Sequence, residues 1–140
     1  MKISKFVLSL IFVSVLTALL TLIFYNDFVI EKIVYYNMTL RVDDHFGLAV
    51  DNESLNFARV PPGQSAEKSI LFANPSSHNV RILIILHGAL SDWIKVSDYN
   101  FVLIPNDRKN VTFEIFAPLN ASFGNYTGSA EIIFRKEFLK

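Results

Sequence analysis

Residues 80–86 read VRILIIL. Val80, Ile82, Ile84 and Leu86 share one face of an extended chain, and Leu83 and Ile85 share the other. Apolar side chains on both faces predict a central strand buried on each side, ended at Gly88. Outward from it the same grammar repeats. Upstream, 68–73 is a strand closed by Asn74, Pro75, Ser76 and Ser77. Downstream, 93–96 and 101–104 are short strands, Pro105, Asn106 and Asp107 turn the chain, and Val111, Phe113, Ile115 and Ala117 line one face of the next. Ala130, Ile132 and Phe134 line one face of the last. Nearer the N-terminus, 38–42 and 55–60 alternate, and 46–50 lies between turn candidates at 43–44 and 51–54. Pro61, Pro62 and Gly63 stop the strand before them, since proline presets one turn position and glycine supplies the next.

Seven or eight strands at regular spacing, with no helical periodicity after residue 36, predict an all-β domain of the β-sandwich kind. The short gaps predict that neighbours in sequence pair antiparallel. The last strand, near the C-terminus, is a candidate sheet edge open to a partner.

Residues 6–25 are different: FVLSLIFVSVLTALLTLIFY carries no charge. As a helix, twenty residues span about 30 Å, the hydrocarbon thickness of a bilayer. Ser9, Ser14, Thr17 and Thr21 are its polar side chains, and hydroxyls of this kind bond back to helix carbonyls. Lys2 and Lys5 precede the run and Asn26 and Asp27 follow it, so the positive-inside bias puts residues 1–5 in the cytoplasm and everything after Tyr25 outside. A cleaved signal peptide is the competing reading. Its apolar region is shorter and its cut is flanked by small residues, whereas Phe24-Tyr25-Asn26-Asp27 has none, which favours a retained signal anchor. Residues 26–36 form a juxtamembrane connector whose pattern fits strand and helix about equally, and 37–140 form the extracytoplasmic domain.

The chain of 140 residues balances 13 basic against 13 acidic side chains, so it exerts no broad pull on nucleic acid. It has no cysteine, which excludes disulfides, zinc–thiolate sites and thiol catalysis. The domain must cohere through its core, and 13 Phe supply large buried area.

Several phrases resemble small bacterial and archaeal immunoglobulin-like domains of the ASH and major-sperm-protein group. They are Gly47 to Val50, Leu55-Asn56-Phe57, Val60-Pro61-Pro62-Gly63, Asn74 after a β run, Asp92 to Ser97 and, closest of all, Gly124-Asn125-Tyr126-Thr127-Gly128. The resemblance covers residues 38–135. It implies an immunoglobulin-like sandwich with binding, scaffolding or spacing roles and no active site. Ala58 stands where that family has glycine, which predicts a backbone not forced into positive φ.

Five Asn-x-Ser/Thr triplets begin at Asn37, Asn52, Asn110, Asn120 and Asn125. Eleven Asn and seventeen Ser or Thr would make between one and two by chance (11 × 17/140). Outside a cell they are glycosylation acceptors, with Asn120 and Asn125 the best placed, although turns enrich the same residue types. Trp93 reads as core rather than as a sugar platform. Tyr99, Phe123 and Tyr126 are the loop aromatics available to a ligand. Asp43, Asp44 and His45 have metal-ligating atoms, but turns are rich in Asp and no pair sits at ligand spacing, so no metal or cofactor is expected. No nucleophile elbow, zinc-protease motif or phosphate-binding glycine loop is present. The sequence thus predicts a non-catalytic, bilayer-anchored domain that binds or organises other proteins at the surface or serves a membrane assembly. An envelope carbohydrate-binding module and an anchor for an archaeal surface filament or envelope layer are the alternatives.

Overall fold

The computed structural model describes residues 5–47 and 54–137. Helix α1 (Lys5–Phe24) is apolar all round and none of its residues is buried. An all-round apolar helix needs either a protein interior or lipid. The domain supplies no interior, so α1 is long and apolar enough to cross a membrane, features that a signal sequence shares. Ser14 Oγ donates to Ile11 O at 2.9 Å, and the Thr17 and Thr21 hydroxyls donate to Val13 O and Thr17 O at 2.8 Å each, which removes the cost of carrying hydroxyls through an apolar medium.

A single π-helical turn (Tyr25–Val29) joins α1 to strand β1 (Ile30–Val42). Strand structure thus begins inside the segment that sequence alone left open. The Phe24 and Phe28 rings stack with centroids 4.7 Å apart, and Arg135 lies 6.0 Å from the Tyr25 ring. No loop separates the apolar helix from the longest strands of the domain.

Seven further strands follow: β2 (Leu55–Val60), β3 (Ser65–Ala73), β4 (Val80–Gly88), β5 (Ile94–Val96), β6 (Asn100–Leu103), β7 (Arg108–Phe116) and β8 (Gly124–Lys136). They form a five-stranded sheet, β2-β1-β8-β4-β6, and a three-stranded sheet, β3-β7-β5. From β2 onward each strand lies in the other sheet from its predecessor, so no consecutive pair forms an antiparallel hairpin. The one hydrogen-bonded consecutive pair, β1 and β2, is parallel. The predicted neighbour pairing is therefore wrong. Each amphipathic strand buries its apolar face against the opposite sheet, and crossing over serves that burial as well as a hairpin does.

The core lies between the sheets. Met38, Leu40 and Val42 of β1, Val111, Phe113 and Ile115 of β7 and Val80, Ile82 and Ile84 of β4 belong to one buried cluster. Phe72 of β3 crosses to Phe101 of β6 edge-on, with centroids 5.8 Å apart, and to Phe134 of β8 at 6.3 Å. β4 is internal, as VRILIIL predicts, but only one of its faces is covered: Leu83 and Ile85 on the outer face remain half-exposed. β8 is no edge. It pairs with β1 along Ile30–Val42 and with β4 along Val80–Gly88, which places the C-terminal strand at the centre of the larger sheet. Trp93 sits in a 3-10 turn ahead of β5, half-buried against the core, with its ring 4.6 Å from that of Tyr126.

Two glycines meet where β4 and β8 approach closely. Gly128 lies opposite Gly88 in the β4–β8 ladder. A Cβ on Gly128 would stand 2.7 Å from His87 O and 2.8 Å from Met38 Cε, closer than any side chain tolerates.

Candidate functional site

β1 climbs away from α1 at about 3.3 Å per residue, so its far third lies about 30 Å from the helix. There the ladder with β2 is irregular. Thr39 pairs with Asn56, and the next pair is Arg41 with Arg59. One β1 residue thus faces two on β2, a bulge. Ala58, inside that bulge, has φ of 58°. The expectation drawn from the Ala-for-Gly difference is overturned: the backbone is left-handed here with alanine in place. A non-glycine residue pays about 1–2 kcal/mol for that conformation. Asn56 Oδ1 accepts from Ala58 N at 2.9 Å and holds the turn. The bulge also breaks the alternation, so Leu55, Phe57 and Val60 are the buried residues of β2.

Around the bulge the outer face of the larger sheet sinks into an open trough of about 490 Å³, lined by Thr39, Leu40, Arg41, Gly47, Asn56, Ala58, Arg59, Asn125, Tyr126 and Thr127. Three strands contribute. Arg41 lies opposite Asn125 in the β1–β8 ladder, and Thr39 lies opposite Thr127. Gly47 N donates to Arg59 O at 3.2 Å. A Cβ on Gly47 would lie 3.0 Å from Arg59 Cγ, so the glycine makes room for the arginine's stem.

Among the described residues the trough's lining holds two guanidinium groups and no carboxylate. Arg41 Nε contacts Asp43 Oδ2 at 3.3 Å from outside the trough. Arg59 Nη1 lies 3.4 Å from His45 Nε2. Asp43, Asp44 and His45 do come together, their donor atoms within 4.8 Å of one another. The Asp44 amide donates to Asp43 Oδ1 at 3.0 Å and, with the Arg41 charge, holds the Asp43 carboxyl below the usual carboxylate range. These acids are engaged with Arg41 and one another at the trough's rim.

The predicted ligand aromatics do not form one site. Tyr126 belongs to β8, not a loop. Its ring points inward against Trp93, and its hydroxyl donates to Ser122 O at 2.8 Å. Tyr99 lies near β5, where its hydroxyl meets Val96 N at 3.3 Å. Phe123 is exposed in the loop before β8 and lines an adjoining depression that shares Arg41 and Asn125 with the trough and includes Asp43. Of the predicted acceptors, Asn37, Asn110, Asn120 and Asn125 are all exposed, and Asn52 lies outside the described residues. Asn110 is mid-strand in β7, and the hydroxyl of its triplet, Thr112, is bonded to Ser69 at 3.0 Å. At Asn120 and Asn125 both ends of the triplet are exposed.

Sequence reasoning missed the trough. Its cations sit eighteen positions apart in sequence, and its far bank is supplied by the last strand. The one local signal was Ala58 in a glycine position.

A second cleft of about 440 Å³ opens between the sheets at the end nearest α1, lined by Val80, Ile82, Leu103 and Phe134 with Lys32 and Glu31 at its mouth. Asn74 closes one side. It is the one buried polar side chain among the described residues, and it ties the β3–β4 and β6–β7 connections together. Glu31 meets His78 Nε2 at 2.9 Å across the mouth.

No protein-family model, curated protein or solved structure matches this chain.

Proposed function

We propose that this chain is a non-catalytic, single-pass membrane protein, with its N-terminus in the cytoplasm, that displays one immunoglobulin-like β-sandwich outside the cell. There it binds or organises other proteins, or serves as the accessory subunit of a membrane assembly. The observation that carries the reading is the junction: a fully exposed apolar helix of twenty residues passes through one π-helical turn into β1, an internal strand of the larger sheet. A domain joined to its anchor without a loop is held at a fixed height and orientation, which suits positioning a partner rather than reaching for one. The repeated crossing of the chain between two sheets supports the immunoglobulin-like assignment.

The surface that suits a protein partner is on β1, not β8. β2 pairs with β1 only from Met38 onward. The other edge of residues 30–37 therefore carries no strand among the described residues, and Ile33 and Tyr35 beside it are 40% and 63% exposed. An open edge with apolar side chains accepts an extended partner segment by strand addition. Affinity capture of the full chain from native membranes in mild detergent, followed by mass spectrometry, tests the proposal. A reproducible companion lost on Ile33→Lys supports it. Recovery of the chain alone under every detergent and salt condition contradicts it.

A further inference from the structure

The polar trough on the outer face of the five-stranded sheet has a ligand chemistry of its own. Its lining offers the guanidinium groups of Arg41 and Arg59, which also meet Asp43 through Nε and His45 through Nη1, with Asn56 and Asn125 as amides and Thr39 and Thr127 as hydroxyls. Among the described residues no acid lines it, and Tyr126, the one aromatic residue of the lining, has its ring packed against Trp93. Arginine forks pair with carboxylates through two parallel hydrogen bonds. Amides and hydroxyls on both banks match a ligand rich in hydroxyl groups. Asn56 spends its Oδ1 on the Ala58 amide, which leaves its Nδ2 as a donor. Strained backbone and bulges concentrate where a side chain must be aimed at a ligand, and here both coincide.

The geometry points to a binding site for an acidic saccharide, a polymer of sugars bearing carboxylates, lying across β2, β1 and β8. Arg41 and Arg59 grip the carboxylate, and the amides and hydroxyls take the ring hydroxyls. Binding rests on hydrogen bonds and charge, without ring stacking. The assignment rests on the proposed external display only for where such a polymer is met, since the trough itself does not depend on orientation.

Calorimetric titration of the full chain in detergent micelles with trigalacturonate tests it. The neutral trimer of galactose and a triglutamate peptide are titrated in parallel. Trigalacturonate is expected to bind, more weakly as salt rises. Arg41→Gln and Arg59→Gln should each raise Kd about tenfold, the loss of one charged hydrogen-bond partner. Both side chains are exposed at the trough, so each variant should melt with the parent. Thr127→Val, which leaves both cations in place, should weaken binding about threefold and guards against a variant that misfolds. Three results overturn the assignment: no trigalacturonate binding, equal binding by the neutral trimer, or affinity unchanged in both arginine variants. Triglutamate binding as tightly would replace the saccharide with an acidic peptide and overturn it too. Failure of the membrane orientation would leave this titration unmoved, so the two readings fail separately.

Discussion

Replacing Asn74 with alanine should loosen the end of the domain nearest α1. Asn74 is 3% exposed. Its Nδ2 donates to His78 O at 2.8 Å, Leu103 O at 2.9 Å and Ile104 O at 3.2 Å. Its Oδ1 accepts from Ser76 N at 3.1 Å and from the Ser76 hydroxyl. Two amide hydrogens serve three carbonyls, so the set amounts to about four hydrogen bonds, each worth about 1 kcal/mol net. The neighbouring 440 Å³ cleft admits water to part of the vacated site, which offsets some of the loss. The expected cost is about 3 kcal/mol, or a melting point lower by about 10 °C for a domain of this size. Trp93, the single tryptophan, is half-buried beside Tyr126 and reports the melt by fluorescence. Asn74→Asp is the sharper control. It keeps the shape and the acceptor oxygen but aims a carboxylate at the three carbonyls, so at neutral pH it should be worse than alanine and should recover as the carboxyl protonates in acid. If Asn74→Ala melted within 2 °C of the parent, the claim that this side chain joins the two loops would be wrong.

Three further outcomes follow from the same geometry. Ala58→Gly should stabilise the domain by about 0.5–1 kcal/mol, because relief at a positive φ exceeds the added freedom of the unfolded chain; urea unfolding midpoints give the comparison, and a loss of stability would exclude the left-handed bulge. Gly128→Ala should destabilise by about 2–3 kcal/mol through overlap with His87 O and Met38 Cε, again read from urea midpoints. Lys109 Nζ donates to Asp98 Oδ2 at 2.6 Å and, as the main cause, holds that carboxyl below its ordinary value. A depressed folded pKa stabilises above the unfolded value and the benefit is lost as pH falls through the folded one, so parent stability should decline below about pH 4 and Asp98→Asn should flatten that decline.

The inward-facing residues were legible because a strand's period of two is local. Met38, Leu40 and Val42, and Val111, Phe113 and Ile115, are buried as alternation predicts. Pairing was not legible. Met38 lies beside Gly128 in the ladder, ninety positions away, and nothing in a local pattern selects that partner over a hairpin neighbour. The bulge escaped because alanine tolerates a left-handed backbone at a modest cost, so its presence does not forbid one. The trough escaped for both reasons together: it needs the bulge on β2 and the long-range meeting of β1 with β8. Asn74 stood out at once as the residue ending a strand, and the structure supplies its reason.

Display of the domain outside the cell, on a retained helix, is tested most directly by the chain's lack of cysteine. Single cysteines introduced by Lys2→Cys and Asn120→Cys can be labelled on intact cells with a membrane-impermeant maleimide and then weighed by mass spectrometry. The account predicts label on Asn120→Cys only, on a chain that still contains residues 6–25. Label on Lys2→Cys in intact cells, no label on Asn120→Cys until the cells are opened, or a mature chain beginning beyond residue 25, would contradict it.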